Sequence, residues 1–180
     1  MEIDNLRELL VEELRDIYSA ENQLIKAMPK MAKKASNPEL KDAFETHLRE
    51  TEGQVQRLQQ VFERLGKKPG GKTCEAMKGL LEEAKDMMGE DMEEDTMDAA
   101  LIACAQKVEH YEIASYGTVR TWAKMLKDRE TTEALQQTLD EEGATDKKLT
   151  KLAVSVINLQ AAKGEAEGAG TGGGRGGSRR

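Results

Sequence analysis

The sequence has few aromatic residues, few prolines and only two cysteines. Aromatic side chains make up 3% of its 180 residues, so its core must be built mainly from leucine, methionine, alanine and valine. Only three prolines interrupt a chain that is dominated by leucine, methionine, alanine, glutamate, lysine and glutamine. These six residue types all favour helices. The composition therefore predicts an all-α protein.

Further absences narrow the class of protein. Cys74 and Cys104 match no zinc-site spacing and make no disulfide framework, which favours two reduced thiols in a cytoplasmic protein. The acidic N-terminal segment has no basic region of the kind that opens a signal peptide, and no apolar run is long enough to cross a membrane. The net charge of −7 argues against nucleic-acid binding by the folded part.

Hydrophobic periodicity divides the chain into four long helices. Apolar residues recur every three or four positions across approximately residues 4–34, 38–65, 97–127 and 129–160. A shorter helix, "CEAMKGLLEEAKDMMG", lies in the long connection between the second and third of these. Two helix hairpins joined by a long crossover form the ferritin-like version of a four-helix bundle. We therefore predict that fold, with one additional short helix.

The composition changes near residue 163. The segment "KGEAEGAGTGGGRGGSRR" contains eight of the sixteen glycines and too few apolar residues to form a core. We predict a helical bundle over residues 1–162 and a disordered tail over residues 163–180. A minor alternative is that Arg175, Arg179 and Arg180 of the tail contact nucleic acid. Because no aromatic residues are interleaved with them, a solvated tail is favoured.

Three glutamates lie on the apolar faces of predicted helices. Successive residues of an α-helix are rotated by about 100°. Glu21 is therefore aligned with Leu14, Glu112 with Val119, and Glu142 with the leucines seven residues to either side. A buried carboxylate destabilises a protein unless it is paired, protonated or bound to a cation. Their recurrence near the middle of three helices predicts a shared polar centre.

Other potential ligands accompany these three glutamates. His47 precedes Glu50 by one helical turn, Glu109 precedes Glu112, and Asp146 follows Glu142. A metal ion between the helices would stabilise such groups, as in the di-iron bundles. The candidate metal ligands are Glu21, His47, Glu50, Glu109, Glu112, Glu142 and Asp146. The alternative is a metal-free bundle in which the carboxylates are protonated or ion-paired and His47 is an ordinary core histidine.

Several segments resemble a known family. The stretches "DIYSAENQL", "HLRETEGQVQRL" and "DAALIACAQKVEHYEIASYGT" are similar to the YciE/YciF stress-protein family of ferritin-like proteins, and the resemblance extends over roughly residues 4–158. It implies a bacterial, stress-associated helical bundle that forms a homodimer. By position, it also implies that the ferritin-type glutamates correspond to Glu21, Glu50, Glu112 with Glu109, and Glu142.

One departure from the ferritin-type pattern affects the expected chemistry. The usual Glu-x-x-His motif is absent, because Gly53 and Thr145 follow Glu50 and Glu142 by three residues. A site rich in oxygen ligands and poor in nitrogen accepts manganese as well as iron. The expected function is a dinuclear Fe or Mn site that reacts with dioxygen or peroxide. The alternative is a non-enzymatic, metal-free dimeric bundle.

Overall fold

The computed structural model describes residues 3–163, and within that range all regular secondary structure is helical. The helices are α1 (Leu6–Lys34), α2 (Pro38–Arg64), α3 (Glu75–Gly89), α4 (Glu94–Met125) and α5 (Arg129–Leu152). A π-helical turn, Ala153–Ile157, continues α5. The all-α fold with four long helices and one short helix is therefore confirmed. The predicted tail lies outside the described residues, apart from Lys163.

The two hairpins are defined by the local chemistry of their turns. Asn37 caps α2 by accepting hydrogen bonds from the backbone N–H groups of Glu39 and Leu40, and Pro38 occupies the first helical position. Between α4 and α5, Lys127 adopts a left-handed conformation (φ 58°) and Asp128 caps α5. Both connections are only a few residues long, so each pair of helices packs as an antiparallel hairpin.

The hairpins pack face to face, and the polar residues lie between apolar layers. Helix α1 contacts α2 and α4, and α5 contacts α4 and α2, while α3 lies against α1 and α4. One apolar layer includes Leu14, Phe62 and Leu135, and the other includes Phe44, Leu101 and Leu149. On each of the four long helices, the glutamates that were predicted as metal ligands lie between these two layers. Burial of the flanking apolar surface supplies the favourable free energy that offsets the polar centre.

The short helix α3 is attached to the bundle through Cys74. The Cys74 thiol caps α3 by accepting a hydrogen bond from the backbone N–H of Met77 at 3.4 Å. The backbone N–H of Cys74 donates a hydrogen bond to Ser19 Oγ of α1 at 3.0 Å. Met77 and Ala84 are the buried residues of α3. Cys74 and Cys104 are both free and buried, in agreement with two reduced thiols.

A buried carboxylate that the sequence analysis did not single out connects α4 to the turn between α1 and α2. Asp98 is fully buried and accepts hydrogen bonds from Ser36 N (2.9 Å), Ser36 Oγ (2.6 Å) and Asn37 N (2.8 Å). Helix α4 starts at Glu94, three residues before the predicted start at residue 97, so Asp98 lies in its second turn. Asp98 therefore joins the two hairpins at one end of the bundle.

None of the helices among the described residues combines the length and the apolar character that crossing a bilayer requires.

Substituting Asp98 by alanine should destabilise the protein by about 2 kcal/mol, because the N–H and hydroxyl groups of the α1–α2 turn lose their acceptor. Urea denaturation followed by circular dichroism measures this change. Asp86→Ala is the matched control, since Asp86 is an exposed residue of α3. Equal stability of the two variants would contradict a structural role for Asp98.

Candidate metal centre

Four buried side chains converge at the middle of the bundle. His47 comes from α2, Glu109 and Glu112 come from α4, and Glu142 comes from α5. One potential ligand atom from each lies within 4.8 Å of the others. Glu21 of α1 is fully buried beside Glu112, so all four long helices contribute to the cluster. The structure thus brings together five of the seven predicted ligands.

His47 is the only imidazole of the cluster and is surrounded by carboxylates. Its Nε2 atom lies 3.1 Å from Glu109 Oε1, without the alignment of a hydrogen bond, and 3.8 Å from Glu142 Oε2. Its Nδ1 atom lies 3.4 Å from Thr145 Oγ1 and 3.6 Å from Glu50 Oε2. Burial lowers the pKa of His47, but the neighbouring carboxylates outweigh burial and raise this pKa well above its usual value.

Glu50 lies at the edge of the cluster. Its side chain is 41% exposed, in contrast to the other glutamates of the site, and it contacts His47 and Thr145. The contact with His47 lowers the pKa of Glu50, so this carboxylate stays ionised. Glu50 is the sixth of the seven predicted ligands, and it borders the centre on the side that faces solvent.

Three of the buried carboxyl groups are poor acids in this environment. Burial raises the pKa of Glu21 to about 7, although a hydrogen bond from Tyr116 opposes the change. Burial also raises the pKa of Glu112 well above its usual value, and the charges of Glu21 and Glu142 add to the effect. The pKa of Glu142 is raised by burial too, against the opposing charge of His47. In the absence of a cation, protons must neutralise part of this cluster.

Many oxygen atoms of the cluster lack a hydrogen-bond partner. In the described part of the chain, the buried oxygens without a partner include both of Glu112 and one each of Glu21, Glu109 and Glu142. Buried polar atoms are nearly always paired, so a convergent group of unpaired oxygens needs an explanation. Carboxylate oxygens with a single imidazole are a suitable ligand set for iron or manganese. The residues present therefore fit a metal centre.

A second layer of side chains holds the carboxylates in place. Tyr116 donates its hydroxyl hydrogen bond to Glu21. Gln54 Nε2 donates to Glu142 Oε1 and, at 3.2 Å, to Glu141 Oε2. Arg57 in turn binds both oxygens of Glu141 at 2.9 Å. Such outer partners fix the orientation of metal ligands.

Gln54 and Arg57 are parts of the site that were not predicted from the sequence. The available signal was spacing, because Gln54 lies one helical turn after Glu50 and Arg57 lies nearly one turn further on. Neither residue belongs to a recognisable ligand pattern, and their contacts with α5 depend on how α2 is rotated against it. Polar residues of this kind are recognised only when the partner helix is in place.

Asp146 is a predicted ligand that the structure places outside the cluster around His47. Its Oδ1 atom lies 3.0 Å from Gln106 Nε2 and 3.4 Å from His110 Nε2, and its side chain is 21% exposed. The side chain of His110 is 70% exposed. One turn beyond Glu142, Asp146 therefore pairs with the outer side of α4 instead of facing His47.

The chain matches a known protein family and its solved structures over most of its length. The family described as "Domain of unknown function (DUF892)" matches residues 5–162. Protein YciF of Escherichia coli K12 is 46% identical over 162 residues, which cover 89% of this chain and 98% of the relative. The crystal structure of the E. coli stress protein YciF superimposes with a TM-score of 0.84, covering 87% of this chain and 99% of that one at 46% identity.

Two further solved structures support the fold. YcfI of Rhodopseudomonas palustris is 46% identical, with a TM-score of 0.81 over 83% of this chain and 95% of that chain. A two-domain protein from Anabaena variabilis that contains a ferritin-like domain is 13% identical, with a TM-score of 0.55 over 98% of this chain and 42% of that one. At that identity the second similarity concerns the fold alone, which is ferritin-like.

Replacing Glu112 by leucine in the metal-free protein should leave the free energy of unfolding unchanged or raise it by about 1–3 kcal/mol, because an unpaired buried carboxyl group is removed. Urea denaturation in the presence of a chelator measures the change. Glu52→Leu, at an exposed position of α2, is the matched control. A loss of several kcal/mol specific to Glu112→Leu would indicate that the carboxyl group is stabilised in the apo-protein.

Proposed function

The chain belongs to the DUF892 family, and we propose that it is a ferritin-like stress-response protein whose bundle centre binds two iron or manganese ions. The ions, when bound, supply electrons for the reduction of dioxygen or peroxide. E. coli YciF, which is 46% identical, is described as a stress protein, and this similarity supports the stress-response role.

The convergence of unpaired carboxylate oxygens in a water-poor centre is the observation that carries the proposal. Glu21, Glu109, Glu112 and Glu142 are all at most 2% exposed, and Glu50 adjoins them through His47. Five ionised carboxylates carry five negative charges, of which two divalent cations offset four. No lysine or arginine is among the buried residues of the described chain, so without a metal ion this charge is offset only by His47 and by protonation of the carboxyl groups themselves.

In this proposal some residues of the centre bind the metal ions and others orient the ligands. His47, Glu109, Glu112 and Glu142 supply the closest set of ligand atoms, and Glu21 and Glu50 extend that set on either side. Tyr116 and Gln54 orient two of the carboxylates. The apolar layers above and below exclude water, which strengthens every electrostatic interaction within the centre.

The proposed state of the protein is a cytoplasmic homodimer. The dimer rests on the family resemblance, and light scattering of the purified chain tests it directly, with a monomeric mass as the contradicting result. We expect no membrane partner and no nucleic-acid partner for the bundle, given the net charge of −7 of the whole chain.

The second candidate function is a metal-free, non-enzymatic dimeric bundle. It is favoured by the single imidazole of the cluster and by the raised pKa values of Glu21, Glu112 and Glu142, which allow these groups to be protonated. Metal content separates the two candidates.

Protein purified from cells grown with added iron or manganese should contain about two ions per chain, as expected for a dinuclear carboxylate bundle. Mass spectrometry of the metals after removal of loosely bound ions measures this ratio. Glu112→Leu should lose most of the metal and Glu52→Leu should retain it. Less than about half an ion per chain in the unmodified protein would reject the metal centre.

Gln54→Leu should weaken metal binding by about 10- to 100-fold, because Glu142 loses the amide that orients it. Calorimetric titration of the metal-free protein with Mn²⁺ measures the affinity. Gln60→Leu, at an exposed position of the same helix, should bind Mn²⁺ as the unmodified protein does. Unchanged affinity in Gln54→Leu would show that Gln54 does not position a ligand.

A further inference from the structure

A small cavity adjoins the His47 side of the acidic cluster. Its volume is about 20 Å³, and side chains from α1, α2, α4 and α5 surround it. Leu24, Met28, Ala43 and Phe44 form part of its wall, and every residue that lines it is buried or at the limit of burial. His47 and Glu109 are common to the cavity and the proposed metal centre.

We propose that this cavity is a docking site for dioxygen beside the metal centre. The inference rests on the proposed function and deepens it, because it identifies dioxygen, and not peroxide, as the oxidant that the interior of the bundle accommodates.

The size of the cavity restricts its occupant. A cavity needs about 10–15 Å³ to hold one water molecule, so a volume of 20 Å³ suits one molecule of two or three atoms. Pockets for organic ligands are about 300–1,000 Å³. An organic substrate is therefore excluded from this position, whereas a diatomic gas fits.

The polarity of the wall selects among small molecules. Almost all of the surface that faces the cavity is apolar, although His47, Glu109 and Thr145 border it. A buried water molecule needs two to four polar partners, and hydrogen peroxide, with two hydroxyl groups, needs at least as many. Placing either in an apolar cavity costs free energy for every hydrogen bond lost. Dioxygen makes no such bonds in water and loses none on entry.

Two methionines make the wall adaptable. Met28 and Met31 both line the cavity and are buried, and the unbranched thioether side chain changes shape at low cost. A molecule slightly longer than water is accommodated by their rotation, without movement of the helices. Their position also provides methyl groups that report directly on the contents of the cavity.

The test measures paramagnetic relaxation by dioxygen in the metal-free full chain. Methionine methyl groups are labelled with ¹³C, and their relaxation rates are compared under oxygen pressure and under the same pressure of nitrogen. The methyl groups of Met28 and Met31 should relax at least about twice as much as that of Met77, which is fully buried but does not line the cavity. Equal enhancement at the three buried methionines would overturn the proposal.

A filled variant provides the matched comparison. Ala43→Val adds two methyl groups at the wall, and it should remove most of the extra relaxation at Met28 and Met31. Leu24→Ala, which enlarges the cavity, should increase the extra relaxation, and it remains informative if Ala43→Val does not fold. Unchanged relaxation in a folded variant of either kind would contradict the assignment, as would ordered water detected at these methyl groups.

The outcome is separable from that of the proposed function. Metal analysis reports on the metal centre and the relaxation experiment, carried out without metal, reports on the cavity. Bound metal without selective relaxation would reject the dioxygen site alone. Selective relaxation in a chain that binds no metal would support the gas site and reject the metal function.

Discussion

The site depends on apolar packing that keeps several carboxyl groups together in a dry interior. Burial and mutual repulsion both disfavour the ionised forms of Glu21, Glu112 and Glu142, as their raised pKa values show. Two apolar layers on either side hold the helices in contact despite this repulsion. Hydrogen bonds from Tyr116 and Gln54 then fix the directions of two carboxylates. The cluster is therefore unfavourable for stability by itself, and it persists because the remainder of the bundle determines its geometry.

The fold and the centre of the site follow from periodicity in the sequence. Hydrophobic residues at spacings of three and four define the helices to within a few residues, and turn residues such as Asn37 and Asp128 define their starts. A glutamate seven residues from a core leucine must point into the same core, because seven residues are close to two full turns. Glu21, Glu112 and Glu142 are buried, as this spacing predicts without knowledge of the neighbouring helices.

Features that depend on the contact between helices are less accessible from the sequence. Asp98 is recognised as a buried acceptor only when the α1–α2 turn is seen beside it, and Gln54 only when α5 is in place. Asp146 has the right spacing from Glu142 but lies toward the outer side of α4, a difference set by helix rotation. The π-helical turn Ala153–Ile157 likewise has no clear signal, since its residues fit an ordinary α-helix.

The division of the ligand set between the hairpins has a consequence for assembly. The first hairpin provides Glu21, His47 and Glu50, and the second provides Glu109, Glu112 and Glu142. Neither half contains a complete coordination shell, so a cation has little to bind until the halves have docked. Any free energy of coordination therefore stabilises the docked arrangement and opposes separation of the two hairpins.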